Sequence, residues 1–137
     1  MKQRKERVPP WATRPAQSSV ELWKSFLFEG DNLYLAKVQV SDLGFNRKTR
    51  YREICERAKV LKLDLCPRAA HFELTKHCGM LPDGEVLHLA MEPYVGSDRL
   101  TSIITLHQYH NFIARGSVAC RDETLFRPAD LFVFKMP

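Results

Sequence analysis

Long apolar runs are absent from this 137-residue sequence, so no segment is expected to span a bilayer as a helix. The basic N-terminus continues into PPWATRPAQSS rather than into an apolar stretch, and a secretory signal is therefore not expected. The sequence also lacks any C-x-x-C pair, because its cysteines are widely spaced, at Cys55, Cys66, Cys78 and Cys120. This spacing favours reduced, largely buried thiols in a cytoplasmic protein, although an even count also allows two bridges.

The common catalytic signatures are missing as well. The chain has no phosphate-binding loop, no dinucleotide fingerprint and no G-x-S-x-G nucleophile motif. It has no H-x-x-x-H pair, and the histidines on the predicted strands are too far apart or out of phase to share one ion. We therefore predict no metal site and no cofactor, and no motif assigns an activity.

Positive charge, in contrast, is present and is concentrated in two places. The net charge is +5, and residues 1–14 carry five basic side chains against one acidic side chain. Residues 47–62 carry seven basic side chains against two acidic ones, so the rest of the chain is mildly acidic. Two basic patches on an acidic body suit an anionic partner better than uniform basicity would. A solubilising tail and an ordinary charged helix face are the alternative explanation.

The beginning of the chain predicts an arm and then a short helix. Residues 1–17 are predicted to be a disordered basic arm, because they combine positive charge with three prolines. Residues 18–137 are predicted to form a single domain. Ser18 and Glu21 have the spacing of a capping box, and Gly30 is placed to end a helix, so a short N-terminal helix is expected between them.

The middle of the chain predicts one main helix. Thr49 is a candidate N-cap, and apolar residues recur at helical spacing from Tyr51 to Leu61. LYLAKVQV before it predicts a strand, and after Pro67 the period of the pattern changes to two. Strands are expected in HFELTKHC, EVLHLAME, residues 100–110, residues 113–120 and LFVFKM. The predicted fold class is α+β, with an antiparallel meander of about five strands packed against the main helix.

LDLCP and GEVLHLAMEP also carry a resemblance to other proteins. With VQVSDLGF and the helix YREICERAKVL, they resemble a group of uncharacterised bacterial proteins from uncultured, small-genome lineages. That group shares L-x-L-C-P followed by G-E-W-L-x-x-A-M-E-P, and the likeness covers roughly residues 33–134. Lys62 stands where the group tends to have a helix-ending glycine, and Val86 stands in place of a tryptophan. The resemblance implies a shared fold and transfers no catalytic residue.

The first functional hypothesis is a non-enzymatic binding module for an anionic partner, with nucleic acid favoured. Its mechanism would be neutralisation of phosphates by the arm and by the Arg47–Lys62 surface of the basic main helix. The candidate residues are Lys2, Arg4, Lys5, Arg7, Arg47, Lys48, Arg50 and Arg52. An open sheet face could add stacking or phosphate contacts through some of His71, Glu73, Thr75, His77, His88, Thr105, His107, Tyr109, Arg115 and Ser117.

Two alternatives from other classes stay open. A small RNase-like enzyme or toxin would use His88 or His107 together with Glu92 as acid and base. A protein-interaction subunit of a larger assembly would dock through exposed apolar residues such as Trp11 and Trp23. The predicted partner is thus a nucleic acid or a protein and not a membrane, and the sequence does not determine the oligomeric state.

Overall fold

The computed structural model describes residues 20–77, 81–82 and 84–137, and the predicted arm lies outside these ranges. Its strands are β1 (Lys24–Phe28), β2 (Asp31–Gln39), β3 (Thr49–Arg50), β4 (Val86–Leu89), β5 (Tyr94–Val95), β6 (Thr101–Tyr109), β7 (Phe112–Ala119), β8 (Leu125–Phe126) and β9 (Leu131–Lys135). The helices are α1 (Tyr51–Val60) and α2 (Ala70–His77), with a 3₁₀ turn at Val40–Leu43. The fold class is therefore α+β, as predicted. Across the described ranges, neither helix is long and apolar enough to cross a bilayer.

The main sheet is mixed rather than purely antiparallel. Its strand order is β1-β2-β9-β4-β6-β7, and β5 pairs with the start of β6 on the side where β4 lies. The last strand, β9, lies between β2 and β4, antiparallel to the first and parallel to the second. The predicted five-stranded antiparallel meander is therefore wrong in strand number and direction. Successive apolar residues in LFVF are typical of a strand buried on both faces, which requires a central position.

The two helices pack on opposite faces of this sheet. Tyr51 of α1 stacks on Phe132 of β9, with ring centroids 6.0 Å apart. In α2, His71 instead contacts Arg115 of β7, with its Nε2 atom 3.4 Å from Nη1. The strand registers place Phe132 and Arg115 on opposite sides, because successive strand residues alternate. We call these sides the α1 face and the α2 face. The sheet curls around α2, which contacts the edge strands β1 and β7.

The predicted N-terminal helix is wrong. Residues Lys24–Phe28 form β1, which pairs with β2 in a hairpin. Glu29 and Gly30 form the turn with φ angles of 51° and 89°, and two positive φ angles match the twist of a two-residue hairpin. The glycine that was expected to end a helix is therefore a turn residue. Ser18, the predicted helix start, lies outside the described residues.

Residues 71–77 of the segment HFELTKHC belong to α2 rather than to the predicted strand, and Cys78 lies outside the described residues. The backbone N–H of Ala70 donates to the carbonyl of Pro67 at 3.0 Å, in the turn that leads into the helix. Ala70 and Leu74, which are four residues apart, are fully buried, whereas Phe72 is exposed. The period-two interpretation required Phe72 to face the core. The helical spacing of the two buried residues instead determines the local structure.

The predicted main helix is confirmed as α1, with its apolar stripe facing the core. The N-cap is Arg50 rather than Thr49, because the Arg50 backbone N–H donates to Oε1 of Glu53 at 3.3 Å. After the helix, Lys62 has a φ of 65°, in the left-handed region that favours glycine.

Candidate functional site

The basic candidates that the structure describes form one short segment at the entrance to α1. Arg47, Lys48, Arg50 and Arg52 all have exposed side chains, and we call residues 47–52 the basic segment. Two backbone pairs attach it to β8, namely Thr49 with Phe126 and Arg50 with Leu125. The remaining candidates lie outside the described residues, and they are Lys2, Arg4, Lys5 and Arg7.

Buried residues alternate with exposed ones in the basic segment, which holds its cations outward. Thr49 is fully buried, and its hydroxyl donates to the carbonyl of Arg47 at 2.8 Å. The Tyr51 hydroxyl donates to the Met91 carbonyl at 2.7 Å and accepts from the Met91 N–H at 2.8 Å. Burial raises the pKa of Tyr51 far above its usual range, so the hydroxyl keeps the proton that it donates. The backbone that carries Lys48, Arg50 and Arg52 is therefore held by anchored neighbours, and the three side chains are exposed.

One of the four exposed cations is already engaged. The Arg47 guanidinium donates to the carbonyl of Lys48 at 3.0 Å and to Oε2 of Glu53 at 3.4 Å. Arg57 is one of the seven basic residues in the range 47–62, but it is buried. Its Nε donates to the carbonyl of Leu43 at 3.2 Å. An external anion would therefore meet Lys48, Arg50 and Arg52 first.

A cleft of about 310 Å³ opens beside the basic segment. Its basic lining residues are Arg50, Arg52 and Arg121, and Glu92 and Asp122 are the acidic ones. This volume is at the lower end of the range for small-molecule sites. The excess of arginine suits an anionic group at its entrance, whereas the two carboxylates limit how much negative charge it could hold.

The cysteines around the cleft are not suited to nucleophilic catalysis. Cys55 and Cys120 both line it, and burial raises the pKa of Cys55 to about 11 and that of Cys120 to about 12. Burial likewise raises the pKa of Cys66 to about 12, and its Sγ lies 3.4 Å from the Val133 carbonyl. A nucleophilic cysteine reacts as the thiolate, and these groups stay protonated at neutral pH. Cys66 is a buried core residue, as the sequence predicted.

His88 is packed in the core of the α1 face. Its ring stacks on Phe132 at 4.9 Å and meets the edge of Phe126 at 5.4 Å. Its Nδ1 lies 2.9 Å from the Leu131 carbonyl, so this nitrogen carries the proton and donates it. Burial lowers the pKa of His88, and the side chain is therefore neutral at pH 7. His88 is therefore a core histidine whose Nδ1 is hydrogen-bonded within the protein.

The structure places His107 near His88 but Glu92 elsewhere. His88 pairs with Thr105 across β4 and β6, and His107 is two residues further along the same face. Tyr94 of β5 pairs with Ser102, at the other end of β6, about 16 Å from His107 at 3.3 Å per residue. Glu92, two residues before Tyr94, lines the cleft with the arginines instead. The three candidates therefore do not form one acid–base group.

The structure divides the residues predicted for the open sheet face into three groups. His88, Thr105, His107 and Tyr109 lie on the α1 face, and Arg115 and Ser117 lie on the α2 face. The other four belong to α2, and they are His71, Glu73, Thr75 and His77. Burial and then the Arg115 charge lower the pKa of His71. Among the residues that the structure describes, no three His, Cys, Asp or Glu side chains are grouped as metal ligands would be.

An aromatic strip at the β6–β7 hairpin includes one residue that the sequence analysis missed. The ring centroids of His107 and Tyr109 are 6.0 Å apart with planes 10° from parallel. Those of Tyr109 and Phe112 are 5.6 Å apart at 30°. We call these three residues the hairpin strip. Phe112 was missed because the predicted strand began at residue 113, and its pairing with Tyr109 depends on the strand register.

A glycine gives the hairpin strip its space. A Cβ on Gly116 would come within 3.0 Å of Thr105 Oγ1 and 3.3 Å of His107 Nε2. These two atoms are themselves 3.0 Å apart, a hydrogen-bonding distance. Glycine at this position therefore lets the His107 ring lie against β7, in line with the Tyr109 ring.

The tryptophan proposed for protein docking is partly covered. Trp23 packs against the core, and the amino groups of Lys37 and Lys24 lie 5.4 Å and 6.0 Å from its ring centroid. Trp11, the other candidate, lies outside the described residues. The basic segment and the hairpin strip, in contrast, both lie on the α1 face.

Comparison of the chain with protein-family models, curated proteins and solved structures found no match.

Proposed function

We propose that this protein is a non-enzymatic binding module for an anionic partner, and that the partner is a nucleic acid. The observation that supports it most is the alternation in the basic segment. Buried Thr49 and Tyr51 hold Lys48, Arg50 and Arg52 outward on a segment anchored to β8. Cations on a backbone that the fold already holds in place lose less backbone entropy when they bind phosphates than cations on an unstructured segment do.

The mechanism is neutralisation of phosphates with release of condensed counterions. Such binding depends steeply on salt and reads little sequence, because phosphates are the same at every position. The basic arm would add contacts of the same kind. Neither contribution requires a catalytic group, and the pKa values of the buried thiols and of His88 leave these side chains uncharged at neutral pH.

The test is fluorescence anisotropy with labelled single-stranded RNA and duplex DNA over a series of salt concentrations. The full chain is compared with a variant that lacks residues 1–14. Phosphate contacts by Lys48, Arg50 and Arg52 alone predict a slope of log affinity against log salt of about −2 for single strands. That slope corresponds to a loss of roughly tenfold to twentyfold in affinity between about 50 and 200 mM salt.

The two proteins separate the contributions of arm and helix. The full chain is expected to show a steeper slope than the truncated chain, since the arm carries five more basic residues. Binding that does not respond to salt, or no binding at low salt, would contradict the proposal. Recovery of intact RNA after the titration is expected, whereas cleavage lost on replacing His88 and His107 by alanine would support the enzyme alternative.

A further inference from the structure

Resting on the proposed function, we propose that the nucleic acid is single-stranded and that its bases stack on Tyr109 and Phe112 while its phosphates lie along the basic segment. This assigns the hairpin strip as a stacking surface for bases. It also names the class of nucleic acid, because the flat faces of bases are available in a single strand and are covered in a duplex.

The rings of the hairpin strip have the exposure that stacking requires. Tyr109 is 49% exposed and Phe112 is 57% exposed. Both rings extend a nearly parallel series that begins with the partly buried His107. The exposed rings extend this stacked series outward from the sheet, and a base can continue such a series because every base has a flat π-face.

The fold does not account for these two rings. Neither Tyr109 nor Phe112 belongs to the buried core or to the partly buried side chains that pack against it. The hydroxyl of Tyr51 or the ring of Phe132, by comparison, has a packing role within the protein. Adjacent exposed aromatic residues at the tip of a hairpin are therefore more consistent with contact to another molecule.

The hairpin strip and the basic segment lie on the same face, connected by β8. Arg50 pairs with Leu125, and the next residue, Phe126, contacts His88 at a ring distance of 5.4 Å. His88 is in turn a diagonal neighbour of His107, the first ring of the strip. Buried Phe126 and His88 therefore lie between the basic segment and the hairpin strip on one face. Basic residues together with exposed aromatic rings are the combination that binds single strands without sequence preference.

The charges along this route are favourable for phosphate. Arg127, directly after β8, is exposed and bonded to Asp130, with its Nη2 3.1 Å from Oδ1. This pair is locally neutral. Glu92 and Asp122 line the cleft together with three arginines. Glu53 is bonded to Arg47, and Glu123 lies 4.0 Å from Arg121.

The test replaces Tyr109 and Phe112 together by alanine. The matched control is Tyr34→Ala, which removes an aromatic side chain that is 40% exposed on β2, with β9 and β4 between that strand and β6. Labelled single-stranded RNA, single-stranded DNA of the same sequence and a duplex are the probes. The double variant is expected to lose roughly tenfold or more in affinity for both single strands, with an unchanged salt slope. The Tyr34→Ala variant is expected to bind as the unchanged protein does.

The outcomes separate this inference from the proposed function. Equal affinity of the unchanged protein for duplex and single strands, or full retention of single-strand affinity by the double variant, would overturn the stacking surface and leave the phosphate-binding proposal intact. No binding of any probe at low salt would overturn both, and capture of a protein partner would then be the expected result of a pull-down. A selective loss of single-strand affinity establishes the stacking surface.

Discussion

Charge reversal of the basic segment is expected to abolish nucleic-acid binding at low salt. In this variant Arg47, Lys48, Arg50 and Arg52 are all replaced by glutamate. Each phosphate contact contributes close to one order of magnitude in affinity at low salt, and the introduced carboxylates repel phosphates as well. We expect a loss of at least about a hundredfold in anisotropy titrations with single-stranded RNA at about 50 mM salt.

A matched variant distinguishes the basic segment from overall charge. Reversing four other exposed cations, Lys59, Lys76, Arg99 and Lys135, changes the net charge by the same amount. This second variant is expected to retain most of the affinity, because its changes lie outside the basic segment. Circular dichroism must show that both proteins are folded. Equal affinity of the charge-reversed protein and the unchanged protein would refute the role of the basic segment.

Replacing Phe132 by alanine is expected to have the largest effect on stability. Phe132 is fully buried, and its ring contacts those of Tyr51, Phe126, His88 and Phe134. It thus joins α1, β8 and β4 to the central strand. Truncation of a buried phenylalanine costs about 3–5 kcal/mol, through lost burial and the cavity that remains. Urea denaturation measures this decrease in the free energy of unfolding.

The control for this prediction is Phe112→Ala. The Phe112 side chain is 57% exposed at the hairpin, so its removal is expected to cost less than about 1 kcal/mol, mainly from its cross-strand contact. We therefore expect opposite behaviour of the two variants, because Phe132 is required for stability and Phe112 for binding. Similar losses of stability for the two variants would contradict the distinction between the buried rings around Phe132 and the exposed rings of the hairpin strip.

Local patterns in the sequence predicted the elements whose contacts are local. The apolar stripe of α1 and the strands β2, β6 and β7 were all visible, because each depends on spacing within one short segment. The position of β9 was not visible. Its parallel pairing with β4 joins residues about 44 positions apart in sequence, such as Leu87 and Leu131, and no local pattern specifies such a pair.

The predictions for two segments were wrong because the same residues fitted both a helix and a strand. In α2, Phe72 and Leu74 suggested alternation, whereas the burial of Ala70 with Leu74 follows a helical turn. In β1, Gly30 fitted a helix end as well as a hairpin turn. Tertiary contacts decided both cases: β1 pairs with β2, and α2 packs inside the curled sheet.

The candidate site was predictable in part. The exposed basic residues were named from charge alone, and their anchoring could have been inferred from buried Thr49 and Tyr51 alternating with them. The burial of Arg57 was not predicted, because a helical wheel does not show the carbonyl of Leu43 that it reaches. The partnership of Tyr109 and Phe112 depends on strand register, which the turn residues alone did not determine.

The most direct test is a titration of the ¹⁵N-labelled protein with single-stranded RNA, followed by backbone amide chemical shifts. The account predicts that the perturbed amides cluster in residues 47–52 and 107–116 on the α1 face, with additional changes in the arm. Amides of α2 and of β1 are expected to change little, since these elements lie away from the proposed route. Changes confined to the arm, changes centred on α2, or no changes at all would contradict the account.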